Sequence, residues 1–264
     1  MDNDLRISTI TSILKISQYI QPERIYNEIP ISNFIPYIEY GCDNIPRGFS
    51  KKSLKKKRKK KKRKIFYNQL TMHIFYNNKI MNLKLFNNGR IQITGLKNEN
   101  QGEELVKKLI TYLQDFDILE ENTQLIESKI VLINSDFDIG MEINRDVLHQ
   151  EIVNANFYSS YEPCIYPGVN IKYFINTNNS SGICSCSLLC NGKGDGCGDG
   201  ECKKVTIAVF KSGKVIITGG QNKGQINESY RFITNFIREA IVNALVILVA
   251  VHATVHRTGF RSYG

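Results

Sequence analysis

The sequence predicts an α+β protein in which one supersecondary unit is built twice, each copy an antiparallel sheet with helices on one face. Three observations predict it. The first is an internal repeat: Phe86-Asn87-Asn88-Gly89-Arg90-Ile91-Gln92-Ile93-Thr94-Gly95 returns 124 residues later as Phe210-Lys211-Ser212-Gly213-Lys214-Val215-Ile216-Ile217-Thr218-Gly219. It keeps the Phe, both glycines, the basic residue and the Thr, the mark of a duplicated unit. The second is that residues on either side of Gly89 and Gly213 favour strands, so each glycine fits a hairpin turn. The third is a helical stretch after each motif, where Gln101, Glu104, Leu109, Tyr112 and Leu113 are answered by Gln225, Glu228, Ile233, Phe236 and Ile237.

The elements follow in order. Residues 7–16 are β-branched and read as a strand; residues 22–29 begin with Pro and carry apolar residues at helical spacing. A Gly- and Pro-containing loop and a lysine run come next. Leu70, Met72 and Ile74 then alternate on one face of a strand, which Asn77-Asn78 turns into the strand ending at Phe86. Residues 103–115 close the half as an amphipathic helix. The second half repeats the order: strand 129–134, helix 144–154, strands 169–175, 205–210 and 214–218, and a helix from Asn227 onward. Its short hairpin is replaced by a Cys- and Gly-rich insertion over residues 176–203. Strand, helix, four strands and a long helix give an antiparallel sheet covered by helices on one side.

Alternation assigns the faces. Ile91 and Ile93, with Val215 and Ile217, belong under the helices, and Gln92 and Thr94, with Ile216 and Thr218, point away from them. A sheet face of small polar and β-branched side chains is either solvated, packed on a partner protein, or covered by a ligand.

The net charge of +10 is concentrated in one segment. Twelve of the 14 residues from 51 to 64 are Lys or Arg, which leaves 23 basic against 25 acidic residues elsewhere. Such a run cannot bury itself and is a solvated loop, a phosphate-gripping arm or a nuclear-import signal. With 42% hydrophobic and 23% charged residues and no secretory-type apolar run in the first 30 residues, the chain reads as globular and intracellular.

Five of the seven cysteines, Cys184, Cys186, Cys190, Cys197 and Cys202, fall within 19 residues. In a reducing cell such clustering favours a metal over disulfides, and four thiolates suit structural zinc. Cys184, Cys186, Cys190 and Cys202 are the expected ligands, because Cys197 lies inside the Gly-rich 192–200 run. Free thiols and disulfides are the other readings. Residues 241–251 are nearly all apolar but shorter than the roughly 20 residues of a membrane span, so a buried or partner-covered helix is expected rather than membrane association. The four His residues are scattered, and no paired-carboxylate, nucleophile or phosphate-loop motif stands out, so neither an enzyme nor a small-molecule substrate is expected.

Ser159-Ser160-Tyr161-Glu162-Pro163, Tyr166-Pro167-Gly168 and residues 210–219 resemble the second repeat of the TATA-box-binding protein family. Ser8-Thr9-Ile10-Thr11 and residues 86–95 resemble the first. The likeness covers roughly residues 5–40, 65–118 and 125–240, and the odd insertions are similar to those of divergent relatives in large nucleocytoplasmic DNA viruses. The resemblance implies a two-repeat saddle whose sheet sits on the DNA minor groove, the family being the type example of groove wedging. It implies wedge residues Phe86, Tyr166 and Phe210, with a fourth at Phe66 or Tyr67. Aligning Leu70, Met72 and Ile74 with Val169, Ile171 and Tyr173 favours Tyr67.

It also implies that Gln92, Thr94, Ile216 and Thr218 line the groove floor and that Arg90 and Lys214 meet phosphates. Asn134 would stand at the groove centre, where the first half offers Thr9 or Thr11. The domains implied are residues 1–120 with the basic insertion 51–64, residues 121–240 with the insertion 176–203, and an apolar extension 241–264. The function implied is a transcription initiation factor that binds and bends A·T-rich double-stranded DNA and recruits a transcription factor IIB-like protein and RNA polymerase. It would work in a nucleus or a cytoplasmic viral factory, or travel in a virion. The alternative is a protein-interaction module of the same fold that has lost specific DNA binding.

Overall fold

The computed structural model describes residues 5–41, 45–50 and 68–258, with side chains to residue 240. The lysine run, Phe66 and Tyr67 lie outside the described residues. The chain divides into two compact units, residues 7–133 and residues 134–264 together with the first six.

The first unit runs β1 (Arg6–Ile16), α1 (Pro22–Glu28), β2 (Tyr37–Tyr40), β3 (Arg47–Gly48), β4 (Gln69–Tyr76), β5 (Lys79–Phe86), β6 (Arg90–Leu96) and α2 (Gln101–Gln114), and ends in the strand β7 (Leu125–Asp138). Its strands lie in the order β3-β2-β4-β5-β6-β1. The second unit continues from β7 with α3 (Arg145–Asn154), β8 (Tyr158–Ser160), β9 (Val169–Ile175), β10 (Lys203–Val209), β11 (Lys214–Gly220) and α4 (Lys223–Thr258), in the order β7-β11-β10-β9-β8. Every registered pair is antiparallel. The α+β class expected from the sequence is the observed one.

Three differences from the sequence reading have physical causes. β7 runs 14 residues, from Leu125 to Asp138, where 129–134 was expected; its exposed first half, with Glu127, Ser128 and Lys129, carries no apolar alternation to mark it. The short strands β2 and β3 occupy a stretch read as loop because its Gly and Pro residues masked them. Helix α2 begins at Gln101 and α4 at Lys223, earlier than expected, and the same side-chain bonds brace the turn that leads into each. Asn98 Oδ1 accepts from Gln101 N at 2.9 Å while Gln101 Oε1 accepts from Lys97 N at 2.8 Å. Asn222 and Gln225 do the same at 2.9 and 2.7 Å, satisfying amides that a helix start leaves free.

In both units the helices cover one sheet face. Leu105, Val106, Leu109 and Leu113 of α2 are buried, as are Leu14, Leu83, Leu85, Ile91 and Ile93 of the sheet. In the second unit Ile226, Ile233 and Ile237 of α4 are buried, as are Val169, Ile171, Val205, Ile207, Val215 and Ile217 of its sheet. Aromatic rings complete this second core: Phe232 lies 4.6 Å from both Phe157 and Tyr173, and Phe137 meets Tyr230 edge-on at 4.7 Å. Among the described residues no helix is long and apolar enough to cross a membrane.

Candidate nucleic-acid interface and metal centre

The repeated motif forms the same three-residue hairpin twice. Phe86 O accepts from Gly89 N at 3.1 Å and Phe210 O from Gly213 N at 3.0 Å, a tight turn whose last residue must be left-handed. Gly89 and Gly213 have φ of +80° and +84°. A Cβ on either would also strike backbone, coming within 2.6 Å of Gln18 O in one case and 2.3 Å of Met141 O in the other. Each hairpin is clasped by two further backbone bonds. Ile16 N reaches Gly89 O and Ile20 N reaches Asn87 O in the first unit; Ile139 N reaches Gly213 O and Ile143 N reaches Lys211 O in the second, all at 2.9–3.0 Å. These bonds fix where each Phe stands.

Phe86 and Phe210 both lie half-buried on the face opposite the helices. In the second unit Tyr166 joins Phe210, ring centroids 5.8 Å apart, and is 37% exposed. Gly168 makes this possible: a Cβ there would lie 2.9 Å from the Tyr166 ring and 3.2 Å from that of Phe210. Arg145, at the start of α3, donates to Pro167 O at 2.5 Å and lies over the Tyr161 ring, tying down the loop that carries Tyr166. In the first unit Gln69 stands opposite Phe86 in the register, where Gly168 stands in the second. That register aligns Leu70 opposite Leu85 with Val169 opposite Val209. It is the alignment on which the preference for Tyr67 rests, although Tyr67 and Phe66 themselves lie outside the described residues.

On the same open face Gln92 and Thr218 are half-buried while Arg90, Thr94, Lys214 and Ile216 are exposed. Asn134 lies here too, its Oδ1 accepting from the Thr218 hydroxyl. Thr11 is the register partner of Thr94, so Thr11 rather than Thr9 holds the matching position in the first unit. Reading only β6 and β11 missed their neighbours. Asn82 and Lys84 in β5, Thr71 and His73 in β4, Thr206 and Ala208 in β10, and Asn170 and Lys172 in β9 all share this face. Alternation marks the members of each strand's face, but only the register of β4, β5, β9 and β10 shows that these stand beside β6 and β11. Lys172 donates to the Thr206 hydroxyl at 2.9 Å, and burial followed by the nearby Lys204 ammonium lowers its affinity for a proton. Neighbouring cations on an uncovered face suit an anionic ligand.

The cysteine insertion is ordered around four thiols. The sulfurs of Cys184, Cys186, Cys190 and Cys202 all lie within 4.8 Å of one another, and Cys197 is exposed outside them. A tetrahedral zinc with Zn–S bonds near 2.3 Å separates its sulfurs by about 3.8 Å, so the donor set fits such an ion. Cys202 precedes β10 directly, so closure ties the loop to the sheet. Asn176 Nδ2, just beyond β9, donates to Cys202 Sγ at 3.3 Å and to Gly198 O at 2.6 Å, an outer partner that orients the thiol. Burial pushes the Cys202 thiol up to about 12, whereas the backbone N–H of Gly192 lowers Cys190. A divalent cation would displace the protons from all four. The cluster can bind a metal, and with no open position it would shape rather than catalyse.

Comparison with known proteins accords with this geometry. The family model described as transcription factor TFIID, or TATA-binding protein, matches residues 127–240, a family of transcription factors rather than enzymes. A TATA-box-binding protein-like protein of Acanthamoeba polyphaga mimivirus is 28% identical over 88% of this chain, which spans 64% of that relative's length. The TATA-box-binding protein of Methanocaldococcus jannaschii is 25% identical over 60% of this chain and 68% of its own. A solved structure of Methanococcus jannaschii TBP superposes with a TM-score of 0.54 at 20% identity, covering 89% of this chain and 99% of that one, and shows the shared fold. By the sequence of its second half and by the fold of most of its length, this chain resembles the TATA-box-binding protein family.

Proposed function

We propose that the protein is a TATA-box-binding-like transcription initiation factor that binds A·T-rich duplex DNA through the minor groove and bends it. One observation carries the reading: the same clasped hairpin sets a half-buried Phe on the uncovered face of both units. A planar ring can replace stacking lost at an opened base step, at a cost of a few kcal/mol per step repaid by contact along the bent duplex. Phe86, Phe210, Tyr166 and Tyr67 would serve as wedges, Gln92, Thr94, Asn134, Ile216 and Thr218 as the floor, and Arg90 and Lys214 as phosphate contacts. Residues 51–64 would add a phosphate-gripping arm.

The helical side is the surface for a transcription factor IIB-like protein and RNA polymerase; an open groove there is lined by Tyr173, Arg231, Phe232, Phe236 and Glu239. Zinc held by Cys184, Cys186, Cys190 and Cys202 would fix the insertion of the second repeat. The setting is a nucleus or a viral factory, in line with the mimivirus relative. A second reading, an interaction module without specific DNA binding, is favoured by the slight acidic excess outside the lysine run.

Fluorescence energy transfer across an end-labelled duplex separates the two. Sharp bending of an A·T-rich duplex but not a G·C-rich control, abolished in Phe86→Ala/Phe210→Ala, is the expected result. Straight, salt-sensitive binding indifferent to sequence would overturn the first reading in favour of the second.

A further inference from the structure

We propose that the two repeats read DNA unequally: the cross-strand pair Lys84 and Gln92 makes the first repeat tolerant of G·C pairs, and the pair Ala208 and Ile216 makes the second selective for A·T. The inference rests on the minor-groove reading above and assigns specificity within it.

The registers make the two pairs equivalent. Lys84 lies opposite Gln92 across β5 and β6, and Ala208 lies opposite Ile216 across β10 and β11. Each pair stands two residues from its wedge, Phe86 or Phe210. The next pair inward is polar in both repeats, Asn82 with Thr94 and Thr206 with Thr218. Beside the wedges, then, the chemistry of the pair itself changes from polar to apolar. In the first repeat two long, half-buried side chains carry an ammonium and an amide; in the second, Ala208 is 5% exposed and Ile216 is 38% exposed and wholly apolar.

The minor groove converts that difference into specificity. An A·T pair presents only acceptors there, whereas a G·C pair adds the guanine N2 amino donor. Lys84 can donate to the acceptors of any pair. Gln92 can turn its carbonyl to accept from the amino group or its NH2 to donate to an acceptor. Ala208 and Ile216 offer the amino group nothing, and a donor desolvated without a partner is penalised. Asn170, the second repeat's nearest amide, pairs with Ala208 from its other side and stands one strand further out, level with Thr71 in the first repeat. The preferred binding element is then one selective and one tolerant half, and on such an asymmetric duplex one of the two directions of binding is favoured.

Because the protein can bind in either direction, three duplexes test this: A·T in both halves, G·C in one half, and G·C in both, with affinities read by fluorescence anisotropy at fixed salt. For the unaltered protein one G·C half should cost no more than about threefold, since the tolerant repeat takes it, while two should cost at least tenfold, given roughly 1–3 kcal/mol per mismatched pair. In Lys84→Ala/Gln92→Ile the one-half substitution should itself cost at least tenfold relative to that variant's own A·T duplex, with circular dichroism confirming its fold. If the double variant does not fold, Gln92→Val takes its place. Equal stepwise losses in the unaltered protein, or a ratio the variant does not change, overturn the inference and would point to Asn170 as an equal reader. If Phe210→Ala leaves A·T binding untouched, the minor-groove reading itself is what fails.

Discussion

The two repeats share a backbone and differ in what they hang on it. Both close the same hairpin on a left-handed glycine, clasp it with the same two amide bonds and brace the turn into their long helix with the same Asn-Gln pair. On that common frame both repeats bury an aliphatic core, to which the second adds the cluster of Phe157, Tyr173 and Phe232. The first sets Gln69 opposite Phe86, where the second has Gly168 beside Phe210 and a second ring, Tyr166. The features that fix the position of each Phe are duplicated, while the side chains around it, and what is attached beside it, have diverged.

The largest effect expected is on the shared frame. Gly89→Ala and Gly213→Ala each force a Cβ into left-handed backbone and against a carbonyl oxygen, at 2.6 and 2.3 Å. The conformational part costs about 1–2 kcal/mol, and displacing packed backbone adds a comparable amount. Each variant should lose about 2–4 kcal/mol of stability by urea denaturation, a large part of a typical 5–15 kcal/mol. A loss under about 1 kcal/mol for either would mean that its hairpin is not the clasped structure described.

How much of this could be read in advance follows the same division. The glycine hairpins were legible because left-handed turns demand a residue type, and the helices because burial imposes a period. The four-thiol set was legible as well, since excluding Cys197 required only that it sit amid glycines. What the sequence concealed lies where no such demand acts. β2 and β3 are too short to show a period, and β7 exposes its first half. The reach of the open face into Lys84, Asn170 and Lys172 depends on strand register, a tertiary fact that alternation within a single strand does not contain.

A smaller effect, confined to one repeat, should follow metal removal. The four sulfurs join a loop of the second repeat to the start of β10, and the first repeat has no counterpart among the described residues. Protein purified under reducing conditions should carry about one zinc per chain. A chelator or Cys186→Ser should remove hydrogen-exchange protection from residues 176–203 while leaving α2 and β4–β6 protected. Metal-free protein with an equally protected insertion would show that Asp199, which accepts from Ser187 N, Ser187 Oγ and Leu188 N, suffices to hold the loop.

The smallest effect distinguishes how each helix is tied to its sheet. Tyr76 donates to Glu104 at 2.8 Å and Tyr173 donates to Glu228 at 3.3 Å, so an equivalent Glu on each helix meets a tyrosine one turn of alternation apart on the strand. Replacing either tyrosine by Phe should cost about 1 kcal/mol. Burial, then the Glu228 carboxylate, pushes the Tyr173 phenol from 10.0 up to about 12, and the Glu104 hydrogen bond raises Tyr76. A raised folded-state value favours the protonated phenol, so its contribution is complete below about pH 10 and is lost as pH climbs through about 12. Stability measured from pH 9 to pH 12 should therefore fall less steeply in Tyr173→Phe than in the unaltered protein. If the slopes coincide, the Tyr173 hydroxyl is solvated and the second helix is held by its apolar and aromatic packing without it.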